Sequence, residues 1–291
     1  MAFDGNSTPA LFLVDNGSLR PGATQSLRRI AARLSEHTGL TIQPASLLHS
    51  NKIDPEEIDG IPATTLGPAA TRAAEQGHRE ILVLPLFFGP SKALDGYLPQ
   101  RMATLQEQHP GVTVRVANPL VDLQGPLDLR LARLLRDSVL KTAEPGQTPA
   151  VALVDHGSPA PEVTAVRNVL AGQLSALLEG EACSVAACSM ERREGDEYRF
   201  NEPLLEHLLE QPGYNSGPVV LAMLFLSPGR HAGPGGDVET ICMEARQRNP
   251  GLETRITPLA GEHEGLLEIL ADRLQQALSG ERYLLELPGS A

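Results

Sequence analysis

The stretch LFLVDNGS at residues 11–18 returns as VALVDHGS at 151–158, 140 positions further along a chain of 291 residues. HPGVTVR at 109–115 matches NPGLETR at 249–255 at the same spacing, and LFFGPSKAL at 86–94 matches LFLSPGRHA at 224–232 at a spacing of 138. Three matched segments in one order mark an internal duplication. The chain is long enough for two domains, each able to bury a core of its own. The polar stretch TAEPGQTP at 142–149 separates them, which places one domain over 1–142 and the other over 150–291.

Within each half, short apolar runs alternate with longer amphipathic ones. The runs are ALFLVD (10–15), LTIQPAS (40–46), EILVLPLFF (80–88) and VTVRVA (112–117), then AVALVD (150–155), CSVAAC (183–188), PVVLAMLFL (218–226) and ETRIT (253–257). Between them, segments such as TQSLRRIAARLSEH (24–37) and EVTAVRNVLAGQLSALLE (162–179) place apolar residues every three to four positions, the period of a helix with one buried face. Strand and helix in alternation predict an α/β fold. We expect two tandem doubly wound domains, each a small parallel sheet flanked by helices.

Composition narrows the class. With 41% hydrophobic and 21% charged residues the chain reads as an ordinary globular protein. A net charge of -12 opposes binding to nucleic acid or to an anionic membrane surface. Cys183, Cys188 and Cys242 form no CxxC pair and are expected as buried apolar thiols in a reducing compartment. The opening MAFDGNSTPA has no basic cluster followed by a long apolar stretch, so a cytoplasmic location is expected.

In an open parallel sheet, ligands bind beyond the carboxyl ends of the strands. In the second half three chemically capable side chains fall there: His156 in VDHGS, Glu191 in SMER and His231 in SPGRH. Two imidazoles and a carboxylate suit a divalent transition metal with open coordination positions, and the same groups can accept protons. Gly157 allows a sharp turn after the first strand, and GPGG at 233–236 allows close backbone approach beside His231. In the first half the corresponding residues are read as Asn16, His49 and Ala93, a set that cannot reproduce the site. His37, His78, His109, His207 and His263 are read as ordinary core or surface residues. No GxGxxG, P-loop or GxSxG pattern accompanies the strand ends, so dinucleotide, phosphate-loop and serine-hydrolase chemistries have no support.

Together LVDHGS, LFLSPGRH and NPGLETR resemble the sirohydrochlorin chelatases, the CbiX/SirB-type class II family, over nearly the whole chain. The resemblance implies a metal chelatase that inserts Co²⁺, Fe²⁺ or Ni²⁺, as substrate, into sirohydrochlorin or a related tetrapyrrole, without ATP and without an organic cofactor. It assigns His156 and His231 to metal binding and catalysis, with Glu191 as proton acceptor or electrostatic partner. Arg230, Arg192 and Ser158, with Arg193 and Arg199, would face the carboxylates of the tetrapyrrole. Long family members often keep their histidines in the first half, whereas here they stand in the second. The loop HAGPGGDVET is longer than the family pattern, and RREGDEYRFNEP (192–203) reads as an insertion. A non-catalytic metal or tetrapyrrole delivery protein is the alternative reading. An internal duplication can replace the homodimer that a single-copy ancestor would form, so a monomer is expected.

Overall fold

The computed structural model describes residues 8–283; the opening MAFDGNS lies outside that range. Among the described residues, eight strands and eight α-helices follow in chain order. The first sheet is built from β1 (Ala10–Asp15), β2 (Ile42–Ser46), β3 (Glu80–Pro85) and β4 (Thr113–Val116), with α1 (Pro21–Thr38), α2 (Leu66–Glu75) and α3 (Leu98–Gln108) between them. After α4 (Arg130–Thr142) come β5 (Ala150–Asp155), α5 (Pro161–Leu177), β6 (Ser184–Ser189), the single turn α6 (Leu205–Leu208) and β7 (Gly217–Met223). The chain continues through α7 (Asp237–Arg248) and β8 (Leu252–Leu259) to α8 (Leu266–Leu278).

Both sheets are parallel and four-stranded, in the order β2-β1-β3-β4 and β6-β5-β7-β8. β1 and β5 are central and buried along their whole length, which explains why ALFLVD and AVALVD are continuous apolar runs rather than alternating ones. Helix packing completes each core. Phe12, Val14, Leu66, Ile81, Leu98 and Met102 lie in the first, and Val154, Cys188, Leu205, Leu221, Val238 and Cys242 in the second. α1 and α5 both begin with proline at the first helical turn after an extended residue, where a missing N–H costs nothing. α1 stops at Gly39, whose φ of 71° lets its N–H reach the Ser35 carbonyl.

The packing divides the chain differently from the sequence repeat. One compact unit contains residues 8–122 together with 267–283, and the other contains Leu123–Leu266. α4, which the repeat boundary assigns to the first half, packs against α5, β7 and β8 of the second unit. α8 belongs to the first unit, where Arg273 donates through Nε to the Pro119 carbonyl at 3.0 Å and through Nη2 to that of Leu120 at 3.1 Å. The last helix of each repeat therefore belongs to the unit built mainly from the other repeat. No helix among the described residues is long and apolar enough to cross a membrane.

Candidate metal site

The site begins with a turn that only glycine fits. Gly157 follows His156 with φ of 89°, and a Cβ on it would lie 1.9 Å from the Glu191 carbonyl oxygen. The turn is tied to the end of β6 because Glu191 N–H donates to the His156 carbonyl at 3.2 Å. The first unit repeats this construction at Gly17, with φ of 88° and a hypothetical Cβ 1.8 Å from the Leu48 carbonyl oxygen. There the Leu48 N–H donates to the Asn16 carbonyl at 3.1 Å. The backbone counterpart of Glu191 is therefore Leu48, not His49 as the sequence alignment has it. His49 follows one position later, with φ of 65°. The error arises because β2 and β6 lie at a spacing that differs from that of the flanking matches.

Strand ends bring the three sequence-derived residues together. One ligand atom from each of His156, Glu191 and His231 lies within 4.8 Å of the others. His156 Nε2 is 3.8 Å from Glu191 Oε1, and His231 Nε2 is 3.9 Å from Glu191 Oε2. The two imidazoles meet edge to face, with ring centroids 4.5 Å apart. The His156 and Glu191 side chains are 55% and 56% exposed, but His231 only 11%, so one side chain is enclosed while two can be reached from solvent.

The remaining imidazole nitrogens set the orientation of the rings. His156 Nδ1 lies 3.0 Å from the Gly157 carbonyl oxygen, so it carries the proton in the neutral ring and Nε2 keeps a lone pair facing Glu191. His231 Nδ1 lies 2.8 Å from Asp237 Oδ2, out of line for an N–H hydrogen bond but close enough for a strong electrostatic contact. Asp237, not singled out in the sequence, is the first residue of α7. Its visible signal is an acidic residue directly after the Gly-rich loop. The loop closes tightly there, since a Cβ on Gly236 would lie 2.8 Å from the His231 carbonyl oxygen.

Beneath the turn lies a buried polar network. Asp155, directly before His156, accepts from Gly157 N–H at 3.1 Å and from the Ser189 hydroxyl at 2.5 Å. Burial pushes its carboxyl above the usual carboxylate range, against the opposing pull of Arg167, whose Nη1 is 3.7 Å away, and of these hydrogen bonds. In the first unit Asp15 has no such arginine, and burial pushes its carboxyl up to about 6 despite hydrogen bonding to Ser46 and Gly17.

The basic residues stand as follows. Arg192 donates through Nε to Glu202 Oε1 at 2.7 Å and through Nη1 to the Arg193 and Gly195 carbonyls. Arg230 Nε is 3.3 Å from Asp237 Oδ2, and Arg199 Nη2 is 3.0 Å from Asp196 Oδ1. Ser158 accepts through Oγ from Ala160 N–H at 3.1 Å. The segment RREGDEYRFNEP is not an insertion relative to the first unit. The Ser189 N–H donates to the Pro203 carbonyl as the Ser46 N–H does to that of Thr64, and the connection is the shorter of the two. Cys188 and Cys242 are buried as expected, but Cys183 is exposed. Burial pushes the Cys242 thiol up to about 11 and raises that of Cys188 too, so neither supplies a thiolate ligand.

Fold and site together define a class: a tandem parallel α/β protein with a two-histidine, one-carboxylate cluster at the strand ends of one unit. The CbiX family model matches residues 10–125 and 150–277, and the chain belongs to that family. Among solved structures it is similar to SirB from Bacillus subtilis with Fe³⁺, with a TM-score of 0.70, 15% identity and coverage of 94% of this chain and 96% of that one. It is also similar to the sirohydrochlorin chelatase SirB from Bacillus subtilis subspecies spizizenii in complex with cobalt, with a TM-score of 0.68, 16% identity and coverage of 94% and 96%. A third, CbiX, described as the terminal enzyme for biosynthesis of siroheme in denitrifying bacteria, gives a TM-score of 0.58 at 16% identity, covering 93% and 99%. These likenesses establish the fold of two tandem domains. No curated protein matches the sequence.

Proposed function

We propose that this chain is a tetrapyrrole metal chelatase that inserts Co²⁺, Fe²⁺ or Ni²⁺ into sirohydrochlorin or a related macrocycle, using the site in its second half. The observation that carries the reading is the convergence of His156, Glu191 and His231 from three separate strand ends to within 4.8 Å. Membership of the CbiX family supports it. Metal insertion releases two pyrrole protons for each ion bound. Two neutral imidazoles with Nε2 turned inward offer lone pairs to an incoming ion, and Glu191 between them can take a proton as the macrocycle deprotonates. No step requires ATP. The exposed edge formed by His156 and Glu191 suits a flat ligand arriving from solvent, and Arg230, Arg192 and Ser158 lie in the loops around it.

The two halves 1–142 and 150–291 are read as descendants of one chelatase-like domain, the first now lacking its metal-binding side chains. Asn16, Leu48 and Ala93 stand at the three matching positions, and none can serve as a good ligand for a transition metal. Anaerobic incubation with sirohydrochlorin and each metal in turn, followed by absorption, tests the reading. Acceleration above the protein-free rate, lost in His156→Ala and His231→Ala, is expected. No acceleration by folded protein with any of the three metals overturns it and leaves metal or tetrapyrrole delivery as the function to pursue.

A further inference from the structure

α1 and α5 bury matching faces, 140 positions apart: Thr24 with Thr164, Leu27 with Arg167, Ile30 with Leu170, Ala31 with Ala171 and Leu34 with Leu174. One pair breaks the apolar match. Arg167 stands where the first unit has Leu27, and it is 2% exposed. A guanidinium cannot lose its charge, so burying it is costly unless its donors are all engaged.

They are engaged by segments beside the metal cluster and by Asn168 of its own helix. Nη1 donates to the Ser189 hydroxyl and, at 3.0 Å, to the Asn201 carbonyl. Nη2 reaches the Phe200 carbonyl at 3.3 Å, and Nε and Nη2 reach Asn168 Oδ1 at 3.1 and 3.0 Å. The Ser189 hydroxyl in turn donates a hydrogen bond to Asp155, next to His156, and Ser189 stands two residues before Glu191. Asn201 extends the network to the other side of the turn. Its Oδ1 accepts from Ser158 N–H at 2.9 Å and from the Thr164 hydroxyl at 3.2 Å, while Nδ2 donates to the Ser158 carbonyl at 2.9 Å. Three chain segments, 155–158, 189–191 and 200–201, are thus fastened to one side chain.

In the first unit the aspartate and the serine are retained as Asp15 and Ser46, but the arginine is replaced by leucine and the metal-binding side chains are absent. The buried arginine therefore accompanies the cluster, not the fold. We infer that Arg167 is a positioning residue of the metal site, holding the His156 turn and the Glu191 strand end in register through Ser189, Asp155 and Asn201. The inference rests on the metal-site reading of His156, Glu191 and His231.

The test titrates Co²⁺ alone into the full chain, reading the dissociation constant and the visible ligand-field band, with a urea unfolding curve for every variant. Arg167→Leu installs the side chain that the first unit tolerates. Folded Arg167→Leu is expected to bind Co²⁺ about 10- to 100-fold more weakly with an altered band, the usual effect of losing a group that orients ligands. Arg167→Lys, which keeps the charge but loses the fork, is expected to fall between it and the wild type. Leu27→Ala, which loosens the equivalent helix face of the first unit, should lower the unfolding midpoint and leave Co²⁺ affinity within about twofold, since packing loss alone does not reach the ligands. Wild-type affinity and an unchanged band in folded Arg167→Leu would overturn the inference, and if that variant does not fold, Arg167→Lys is judged by the same criterion. Wild-type protein that binds Co²⁺ no better than a His156→Ala, His231→Ala double variant would instead show that the metal-site reading had failed, taking the positioning role with it.

Discussion

Asp237 and Asp15 show how single carboxylates do different work in the two units. Asp237 faces His231 Nδ1 at 2.8 Å, so its field favours a proton on that nitrogen and leaves Nε2 turned towards Glu191. Asp237→Asn keeps the shape and loses the charge; Co²⁺ affinity measured by calorimetry should drop about 10-fold or more. Asp15 is buried without a cation, and its carboxyl is pushed from 3.8 up to about 6. The folded chain therefore retains a proton that the unfolded chain releases between those values. The contribution of Asp15 to stability is therefore fully present below about pH 4 and is lost as pH rises through about 6, a change of up to about 3 kcal/mol. Asp15→Asn should flatten this slope in urea denaturation curves taken across that window. His156 and His231 were legible in the sequence because each closes a strand run that a duplicate segment aligns, and Glu191 because it follows the apolar run CSVAAC. Arg167 was less legible: it occupies a core position of a helical stripe, and only comparison with Leu27 shows it to be out of place.

The strand-to-loop turns are the elements on which the site depends, and the duplication provides an internal control for them. Gly157→Ala puts a methyl group against the Glu191 carbonyl at a backbone angle that disfavours any side chain, costing about 1–3 kcal/mol in strain beyond the clash. Relief requires the β6 end to move, so both stability and metal binding should fall. Gly17→Ala meets the Leu48 carbonyl in the same way and should lower stability alone. Calorimetric unfolding with parallel Co²⁺ titration separates the two, and equal loss of metal binding in both variants would contradict the assignment of the site to one unit. Strand positions were readable because central parallel strands are apolar on both faces. The pairing of Leu48 with Glu191 was not, since the segments between matched strands differ in length and only hydrogen bonding across the sheet fixes the register.

At the scale of the molecule, repeat and packing disagree over two helices. The sequence repeats with a boundary near 142–149, while α4 packs with the second unit and α8 with the first. A repeat pattern records ancestry and cannot report which sheet a terminal helix covers, so this exchange was not legible. Arg273→Ala would leave the Pro119 and Leu120 carbonyls without their donors, costing about 3 kcal/mol. Hydrogen exchange should show lost protection in β1–β4 and unchanged protection in β5–β8. The exchange also bears on how the chain is made. The second unit is continuous from Leu123 to Leu266, so it has all its parts before α8 is translated. The first unit begins at the ribosome earlier yet lacks its closing helix until translation passes residue 278, so its order of completion is the reverse of its order of synthesis. At about 5–20 residues per second the interval is many seconds, during which the incomplete apolar face of the older half is the part of the nascent chain most in need of a chaperone.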